Sequence, residues 1–127
     1  MSKYVLDASA VLALLNQEPG MDRVEEMLAD SCLGTVNYCE VLGKLIDADI
    51  PEQEARESLE LLNIEIINFD TDMARLAAVL RPTTKKLGLS LGDRSFLALA
   101  LSRRNTAVTA ERAWPKLKIA VKIELIR

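Results

Sequence analysis

The sequence predicts an α/β domain in which helices flank a mostly parallel central sheet. Short apolar segments alternate along the chain with longer segments whose apolar residues recur at helical spacing. Strands that alternate with helices form mostly parallel sheets covered on both faces. The chain has 127 residues, of which 50% are hydrophobic and 28% charged. This size and composition are those of one globular unit, so residues 1–127 are predicted to form a single domain.

Five short apolar segments are predicted to be strands: residues 4–6, 32–36, 64–68, 106–109 and 121–125. In sheets of this kind, binding sites gather beyond the C-terminal ends of the strands. Side chains that directly follow a strand are therefore the first candidates for function.

The first helix is predicted over residues 9–16, with Ser9 as its N-cap, and Pro19-Gly20 ends that segment. Helical spacing predicts five further helices. The second carries Met21, Val24 and Leu28, and the third starts near residue 37 with Val41, Leu42, Leu45 and Ile46 on one face. The fourth has Pro51 in its first turn and Ala55, Leu59 and Leu62 facing inwards, the fifth is capped by Asp70 or Thr71 and carries Met73, Leu76, Ala77 and Leu80, and the sixth is an apolar helix over residues 91–103. Residues 81–89, which contain a proline, a glycine and two lysines, are predicted to be a loop.

The composition excludes several classes of enzyme. The chain contains no histidine, which excludes Ser-His-Asp and Cys-His nucleophiles, histidine acid–base pairs and most zinc sites. Cys32 and Cys39 do not form a CxxC pair, so we expect reduced thiols near the core. An enzyme built from this chain must work mainly with carboxylates, lysines, hydroxyls or a bound ion. The net charge of −3 disfavours binding to phosphates unless basic side chains cluster locally.

The sequence also bears on where the protein works. No apolar run is long enough to cross a bilayer. The N-terminal segment lacks the basic stretch, apolar stretch and small-residue cleavage site of a signal peptide. We therefore expect a soluble cytoplasmic protein that is not associated with a membrane.

Asp7 and Asp93 are the acidic residues whose positions most suggest a site. Asp7 directly follows the first predicted strand, although a carboxylate there would serve equally well as a helix cap. Asp93 lies three and four residues before Phe96 and Leu97 on a helix that is apolar almost all round, so it should be buried. A buried charge needs a partner or a metal ion. Capping of the first turn, with Ser90 or Leu91 nearby, is the alternative for Asp93.

Position alone gives weaker support to two other acidic residues. Glu40 lies across the helical wheel from Val41, Leu42 and Leu45, which indicates a solvated side chain. Glu111 follows the fourth predicted strand at the expected functional edge, but its spacing alone favours a role in a surface turn.

Four segments in order resemble the motifs of the PIN-domain nuclease family, and most closely those of its VapC-type toxins from toxin–antitoxin pairs. The segments are residues 4–12 (YVLDASAVL), 37–41 (NYCEV), 89–100 (LSLGDRSFLALA) and 108–114 (VTAERAW). Each motif is weak alone, but four at the family's spacing cover nearly the whole chain. The resemblance makes Glu40 a metal-site residue and so reverses the interpretation of the helical wheel. One position departs from the pattern, since the fourth motif usually carries Asp where this chain has Glu111.

The resemblance implies an endoribonuclease that hydrolyses phosphodiester bonds with Mg²⁺ or Mn²⁺, ions that prefer oxygen ligands. Asp7 and Asp93 are then the principal ligands, Glu40 ligates directly or orients water, and Glu111 completes the site. Ser9 and Thr109 are candidates for hydrogen bonds that support these ligands, although a helix cap and an ordinary strand residue explain them equally well.

Substrate binding would need local positive charge. Arg94 and Arg112 adjoin the proposed site in sequence. Taken one by one, these two and the other basic candidates are better explained as solvated surface residues, but together they could extend a binding surface: Lys85, Lys86, Arg103, Arg104, Lys116 and Lys118. The resemblance further implies a homodimer and a cognate antitoxin protein as partners.

Three other functions remain open from the sequence. A receiver-like regulatory module shares the size, the α/β alternation and an acidic Mg²⁺ pocket, but Asp7 lacks the paired acid such modules carry. A PIN fold without catalytic activity would act only by binding proteins, and the Glu111 departure leaves this possible. A nuclease that prefers DNA would use the same metal chemistry.

Overall fold

The computed structural model describes residues 2–114 and 117–127. Its centre is a sheet of five strands: β1 (Tyr4–Leu6), β2 (Ser31–Gly34), β3 (Glu65–Ile67), β4 (Thr106–Thr109) and β5 (Ile123–Leu125). The strands lie in the order β3-β2-β1-β4-β5, and all four pairings are parallel. This confirms the predicted α/β class. Because the chain leaves β1 towards β2 on one side while β4 joins on the other, the C-terminal ends of β1 and β4 border the switch point where such sheets bind ligands.

Helices cover both faces of the sheet: α1 (Ala8–Leu15), α2 (Met21–Met27), α3 (Thr35–Asp47), α4 (Glu52–Leu61), α5 (Thr71–Val79), α6 (Arg81–Thr84) and α7 (Leu91–Arg103), with 3₁₀ turns at Leu28–Asp30 and Lys85–Leu87. Successive residues of a strand pack against the helices on opposite faces of the sheet. Val5 of β1 packs with α5 and α7, whereas Leu6 packs with α1 to α4. Both residues are fully buried, so β1 is held in place from both sides.

The start of α1 differs from the prediction. Asp7, not Ser9, is the N-cap, because its backbone is extended and its side chain accepts a hydrogen bond from the Ala10 amide. Ser9 lies in the first turn, and its hydroxyl donates to Asp7 instead. The cap interpretation of Asp7 is therefore confirmed.

The predicted loop at residues 81–89 is wrong. Residues Arg81–Thr84 form α6, and a 3₁₀ turn follows before Gly88. Pro82 stands in the first turn of α6, where its missing N–H costs no hydrogen bond. Gly88 has a φ of +67° and ends the turn. The proline and glycine thus mark the two ends of a short helical segment.

Smaller differences concern bounds and burial. The second strand ends at Gly34, and Thr35 already begins α3, although the β-branched pair that follows Gly34 has a strand-like sequence. Ile46, predicted to share the apolar face of its helix with Val41 and Leu45, is exposed whereas those two are buried. Both cysteines are free, as expected, but Cys39 is exposed and only Cys32 lies in the core. A separate point concerns membranes: none of the helices in the described part of the chain is both long enough and apolar enough to cross one.

Candidate active site

Asp7 is a buried carboxylate held by three donors. It joins β1 to α1 and is only 6% exposed. Its Oδ1 accepts hydrogen bonds from the Ser9 hydroxyl at 2.7 Å and the Ala10 amide at 2.9 Å, and its Oδ2 accepts one from the Thr109 hydroxyl at 2.6 Å. Burial raises the pKa of Asp7 to about 6, although these hydrogen bonds lower it in part. The folded chain therefore holds a carboxyl group whose ionisation is costly without a nearby cation.

Ser9 and Thr109 link the ends of β1 and β4 around this carboxylate. The Thr109 hydroxyl, fully buried, donates to Asp7 and accepts from the Glu111 amide at 3.0 Å. The Ser9 hydroxyl donates to Asp7 and accepts from the Ala110 amide at 3.0 Å. Each hydroxyl thus uses its donor on the carboxylate and a lone pair on the turn after β4, which fixes the orientation of Asp7.

Asp93 and Ser90 form a capping box at the start of α7. The Ser90 hydroxyl accepts from the Asp93 amide at 3.1 Å, and Asp93 Oδ2 accepts from the Ser90 amide at 2.9 Å. The capping interpretation of Asp93 is confirmed. Its side chain is half-buried rather than buried, because it faces a cavity. One oxygen of Asp93 therefore caps the N-terminus of α7, while the carboxylate also borders the cavity.

Glu40 is half-buried, so the wheel-based expectation of a solvated side chain is wrong. Its Oε1 accepts a hydrogen bond from Asn37 Nδ2 at 2.7 Å, and its carboxylate lies against Gly92 of α7. The burial comes from α7, which packs on α3, and not from the apolar face of α3 itself.

Glu111 lies in the turn that follows β4. Its side chain is exposed, and its Oε1 accepts from the Ala113 amide at 3.2 Å. A role in the turn is thus confirmed, and the same side chain borders the cavity.

The four predicted carboxylates share one cavity of about 260 Å³. Its walls come from the junction of β1 and α1, from α3, from the start of α7 and from the turn after β4. They are formed by Asp7, Ala8, Ser9, Leu12, Asn37, Glu40, Lys44, Asp93, Glu111 and Trp114. Residues far apart in sequence are therefore gathered at the C-terminal edge of the sheet, as the strand order predicts.

Comparison with family models matches the description "PIN domain" to residues 4–120, which is most of the chain. The chain belongs to the PIN-domain family. This confirms the resemblance read from the four motifs, and members of this family are nucleases. A receiver-like module is excluded, since receiver domains place β1 between β2 and β3, whereas here β1 lies between β2 and β4.

Solved structures described as toxin–antitoxin or VapBC complexes share the fold at low sequence identity. A DNA-bound VapBC complex from Salmonella typhimurium has a TM-score of 0.79 at 19% identity, with 100% of both chains covered. A toxin–antitoxin complex from Klebsiella pneumoniae has a TM-score of 0.75 at 21% identity, with 98% of both chains covered. VapBC-1 from nontypeable Haemophilus influenzae has a TM-score of 0.74 at 17% identity, with 97% of both chains covered. A comparison with curated protein sequences finds no match.

The donors in the cavity suit a hydrated divalent cation of the kind that PIN nucleases use. Within residues 2–114 and 117–127, no three acidic or cysteine side chains converge closely enough to enclose an ion by themselves. Mg²⁺, however, keeps several waters and is commonly held by one or two carboxylates. A carboxylate offers about four lone-pair positions. Asp7 uses three of them, which leaves one for an ion.

The two arginines predicted to bind substrate do not line the cavity. Arg94 is half-buried, and its guanidinium donates to the Ala77 carbonyl at 3.2 Å, so it ties α7 to α5. Arg112 is exposed in the turn after β4. The structure therefore gives Arg94 a packing role and leaves Arg112 exposed outside the cavity lining.

The wider set of basic candidates lies outside the cavity lining. Arg103 is half-buried and forms an ion pair with Glu65 at 3.5 Å. Four others are exposed: Lys85, Lys86, Arg104 and Lys118. Lys116 lies outside the described residues.

Two residues of this PIN domain that the sequence interpretation missed line the cavity on α3. Lys44 follows Glu40 by four residues, so both lie on one face of the helix. Among the described residues that line the cavity, Lys44 carries the positive charge. Asn37 precedes Glu40 by three residues and is 2% exposed. The spacing of both residues relative to Glu40 is the signal that could have found them.

Proposed function

We propose that this protein is a metal-dependent endoribonuclease that hydrolyses RNA phosphodiester bonds in the cytoplasm, as the toxin of a toxin–antitoxin pair. The observation that carries the proposal is the shared cavity at the C-terminal edge of the sheet, which Asp7, Glu40, Asp93 and Glu111 all line. A cluster of oxygen ligands without histidine or clustered cysteine favours Mg²⁺ or Mn²⁺ over zinc.

Each carboxylate has a distinct part in the proposed mechanism. Asp7 and Asp93 are the principal ligands, because Asp7 is fixed by three donors and Asp93 by its capping box. Glu40 orients the attacking water or ligates directly, and Glu111 completes the site. Bound Mg²⁺ or Mn²⁺ would activate water and stabilise the charge that develops on the phosphate. Ser9 and Thr109 keep the Asp7 carboxylate aimed at the cavity.

Lys44 is the residue we propose for contact with the substrate. A cavity with four carboxylates repels a phosphodiester, and a cation on its wall offsets that repulsion. Lys44 is exposed and also lines a neighbouring cavity with Ser9 and Leu12. An RNA strand whose scissile phosphate lies at the acidic site would thus pass Lys44.

The proposed partners are a cognate antitoxin and a second copy of the chain. Three of the similar structures are described as toxin–antitoxin or VapBC complexes. The chain also exposes large apolar side chains, of which Leu61 is 85% exposed and Val79 71% exposed. Apolar surface of this kind is typical of interaction sites when it is contiguous.

The test is cleavage of several structured RNAs by the purified chain with Mn²⁺, with Mg²⁺ and with EDTA. We expect EDTA to abolish cleavage and Asp7→Ala and Asp93→Asn to reduce it roughly 100-fold or more, since residues that merely support a metal ligand already cost 10–100-fold. Lys44→Ala should raise KM more than it lowers kcat, because it removes a contact made before the chemical step. The variants also exclude contaminating ribonucleases as the source of cleavage.

Each other outcome points to an alternative. Cleavage of DNA but not of RNA, with the same dependence on the variants, would identify a deoxyribonuclease. No cleavage that depends on Asp7 and Asp93, from a chain that remains folded, would favour a PIN fold that acts only by binding proteins.

A further inference from the structure

The polar side chain of Asn37 is buried where α3 meets the start of α7. Asn37 Nδ2 donates to Glu40 Oε1 at 2.7 Å and to the Gly92 carbonyl at 3.2 Å. Its Oδ1 is buried and has no partner among the described residues. The opposite orientation of the amide would place Oδ1 against two acceptors and is therefore excluded. One amide group thus binds a carboxylate on its own helix and a backbone carbonyl on another.

Gly92 provides the space that the Glu40 carboxylate occupies. A Cβ atom at position 92 would lie 2.6 Å from Glu40 Cδ and from Oε1, and closer still to Oε2. Real Cβ atoms do not come this close to other atoms, so a side chain at position 92 would force the carboxylate to move. Gly92 directly precedes Asp93, which places this contact next to a second carboxylate of the cavity.

From these two contacts we infer that Asn37 and Gly92 are positioning residues that hold the Glu40 carboxylate at a fixed place beside Asp93. Asn37 fixes one oxygen by a hydrogen bond, and Gly92 leaves room for the carboxylate close to the backbone of α7. The Glu40 carboxylate on α3 is then held at a fixed position relative to Asp93 on α7. In this role Asn37 and Gly92 act on Glu40 and do not themselves bind the ion or the substrate. The inference rests on the proposed function in so far as Glu40 serves a metal ion.

The first measurement is the affinity for Mn²⁺, determined from the electron paramagnetic resonance signal of the free ion. We expect Gly92→Ala and Asn37→Leu each to weaken binding about 10–100-fold. Asn37→Leu keeps the branched shape of the side chain without its hydrogen-bonding atoms, and the Gly92 carbonyl still accepts from the Ser95 hydroxyl at 2.9 Å, so the loss concerns Glu40. The matched control is Gly43→Ala on the exposed face of α3, where a Cβ meets nothing within 4 Å, and it should bind as the wild type does.

The second measurement does not depend on a metal. Urea unfolding of the metal-free chain is compared for the wild type, Gly92→Ala, Glu40→Ala and the double variant. The atoms that a new Cβ would meet belong to the mobile end of a glutamate, so Gly92→Ala should fold. We expect it to lower the urea midpoint in the wild type, and to lower it less when Glu40→Ala has removed the carboxylate.

The outcomes separate this inference from the proposed function. If the wild type binds no Mn²⁺, the proposed metal site fails, and the urea comparison alone decides whether Gly92 makes room for the Glu40 carboxylate. An equal fall in the midpoint with and without the Glu40 side chain overturns the inference. So does a wild type that binds Mn²⁺ with Gly92→Ala and Asn37→Leu binding it equally well.

Discussion

Asp7 and Asp70 begin their helices in the same way but lie in different parts of the sheet. Asp7 has φ −95° and ψ 178° and accepts from the Ala10 amide at 2.9 Å. Asp70 has φ −90° and ψ −177° and accepts from the Met73 amide at 2.9 Å. Asp7 follows the central strand β1 and is buried, whereas Asp70 follows the edge strand β3 and is exposed. The local cap is therefore common to both, and the neighbouring strands decide whether the carboxylate becomes part of a cavity.

The difference between the two junctions comes from residues distant in sequence. Beside β1, β4 brings Thr109, which donates to Asp7 across 102 positions of the chain. Among residues 2–114 and 117–127, no strand lies beyond β3 in the sheet order, so Asp70 meets solvent. A capping residue becomes a candidate metal ligand when a second strand end surrounds it with donors and excludes water.

The largest expected effect that separates the junctions is the pH dependence of stability. The pKa of Asp7 rises from an ordinary 3.8 to about 6 in the folded chain. The folded state thus keeps a proton that the unfolded state releases, and the resulting stability is fully present below about pH 4 and lost as pH rises to about 6. We expect metal-free Asp7→Asn to match the wild type at low pH and to be more stable above pH 6, by up to about 3 kcal/mol.

Urea unfolding from pH 4 to pH 7 measures this difference. Asp70→Asn is the matched control, because it changes the same kind of cap on an exposed carboxylate. A constant difference between Asp7→Asn and the wild type would mean that burial does not penalise the charge of Asp7.

The capping residues show which parts of the structure could be predicted from the sequence. Ser90 and Asp93 predict the start of α7 because both partners of the capping box lie within four residues, and the helix over residues 91–103 is confirmed at both ends. Asp70 is likewise confirmed as one of the two predicted caps. The caps of α5 and α7 were therefore predictable from residues within one turn, whereas at α1 Ser9 was predicted as the N-cap in place of Asp7.

The parts of the site that depend on packing between helices were not predictable in this way. The wheel assigns Glu40 to solvent because it contains no information about α7, whose Gly92 makes room for the carboxylate. Arg94 follows Asp93 in sequence, yet one step along a helix turns its side chain away towards α5. Adjacency in sequence is thus a poor guide to a shared site on a helix, whereas spacings of three and four, as for Asn37 and Lys44, are a good one.

The second test sharpens the comparison at Thr109, the donor that Asp70 lacks. Thr109→Val removes the hydroxyl that donates to Asp7 at 2.6 Å, with little change in shape. We expect the pKa of Asp7 to rise further and Mn²⁺ affinity at neutral pH to fall about 10–100-fold. Calorimetric titration measures the affinity.

The control for this test is Thr106→Val in the same strand, whose hydroxyl makes no hydrogen bond within the described residues. It should bind Mn²⁺ as the wild type does. Equal losses for the two substitutions would assign the effect to the stability of β4 rather than to the support of Asp7.

The smallest effect is expected at the exposed junction itself. Asp70→Ala removes the side chain that accepts from the Met73 amide, which should cost about 1 kcal/mol of unfolding free energy. Asp70→Asn should restore most of it, because asparagine caps helices as well as aspartate does. Neither change should alter Mn²⁺ affinity, since Asp70 has no contact with the acidic cavity. Weaker Mn²⁺ binding by Asp70→Ala would show that α5, which packs on α7, transmits its stability to Asp93, and the two junctions would then be coupled rather than independent.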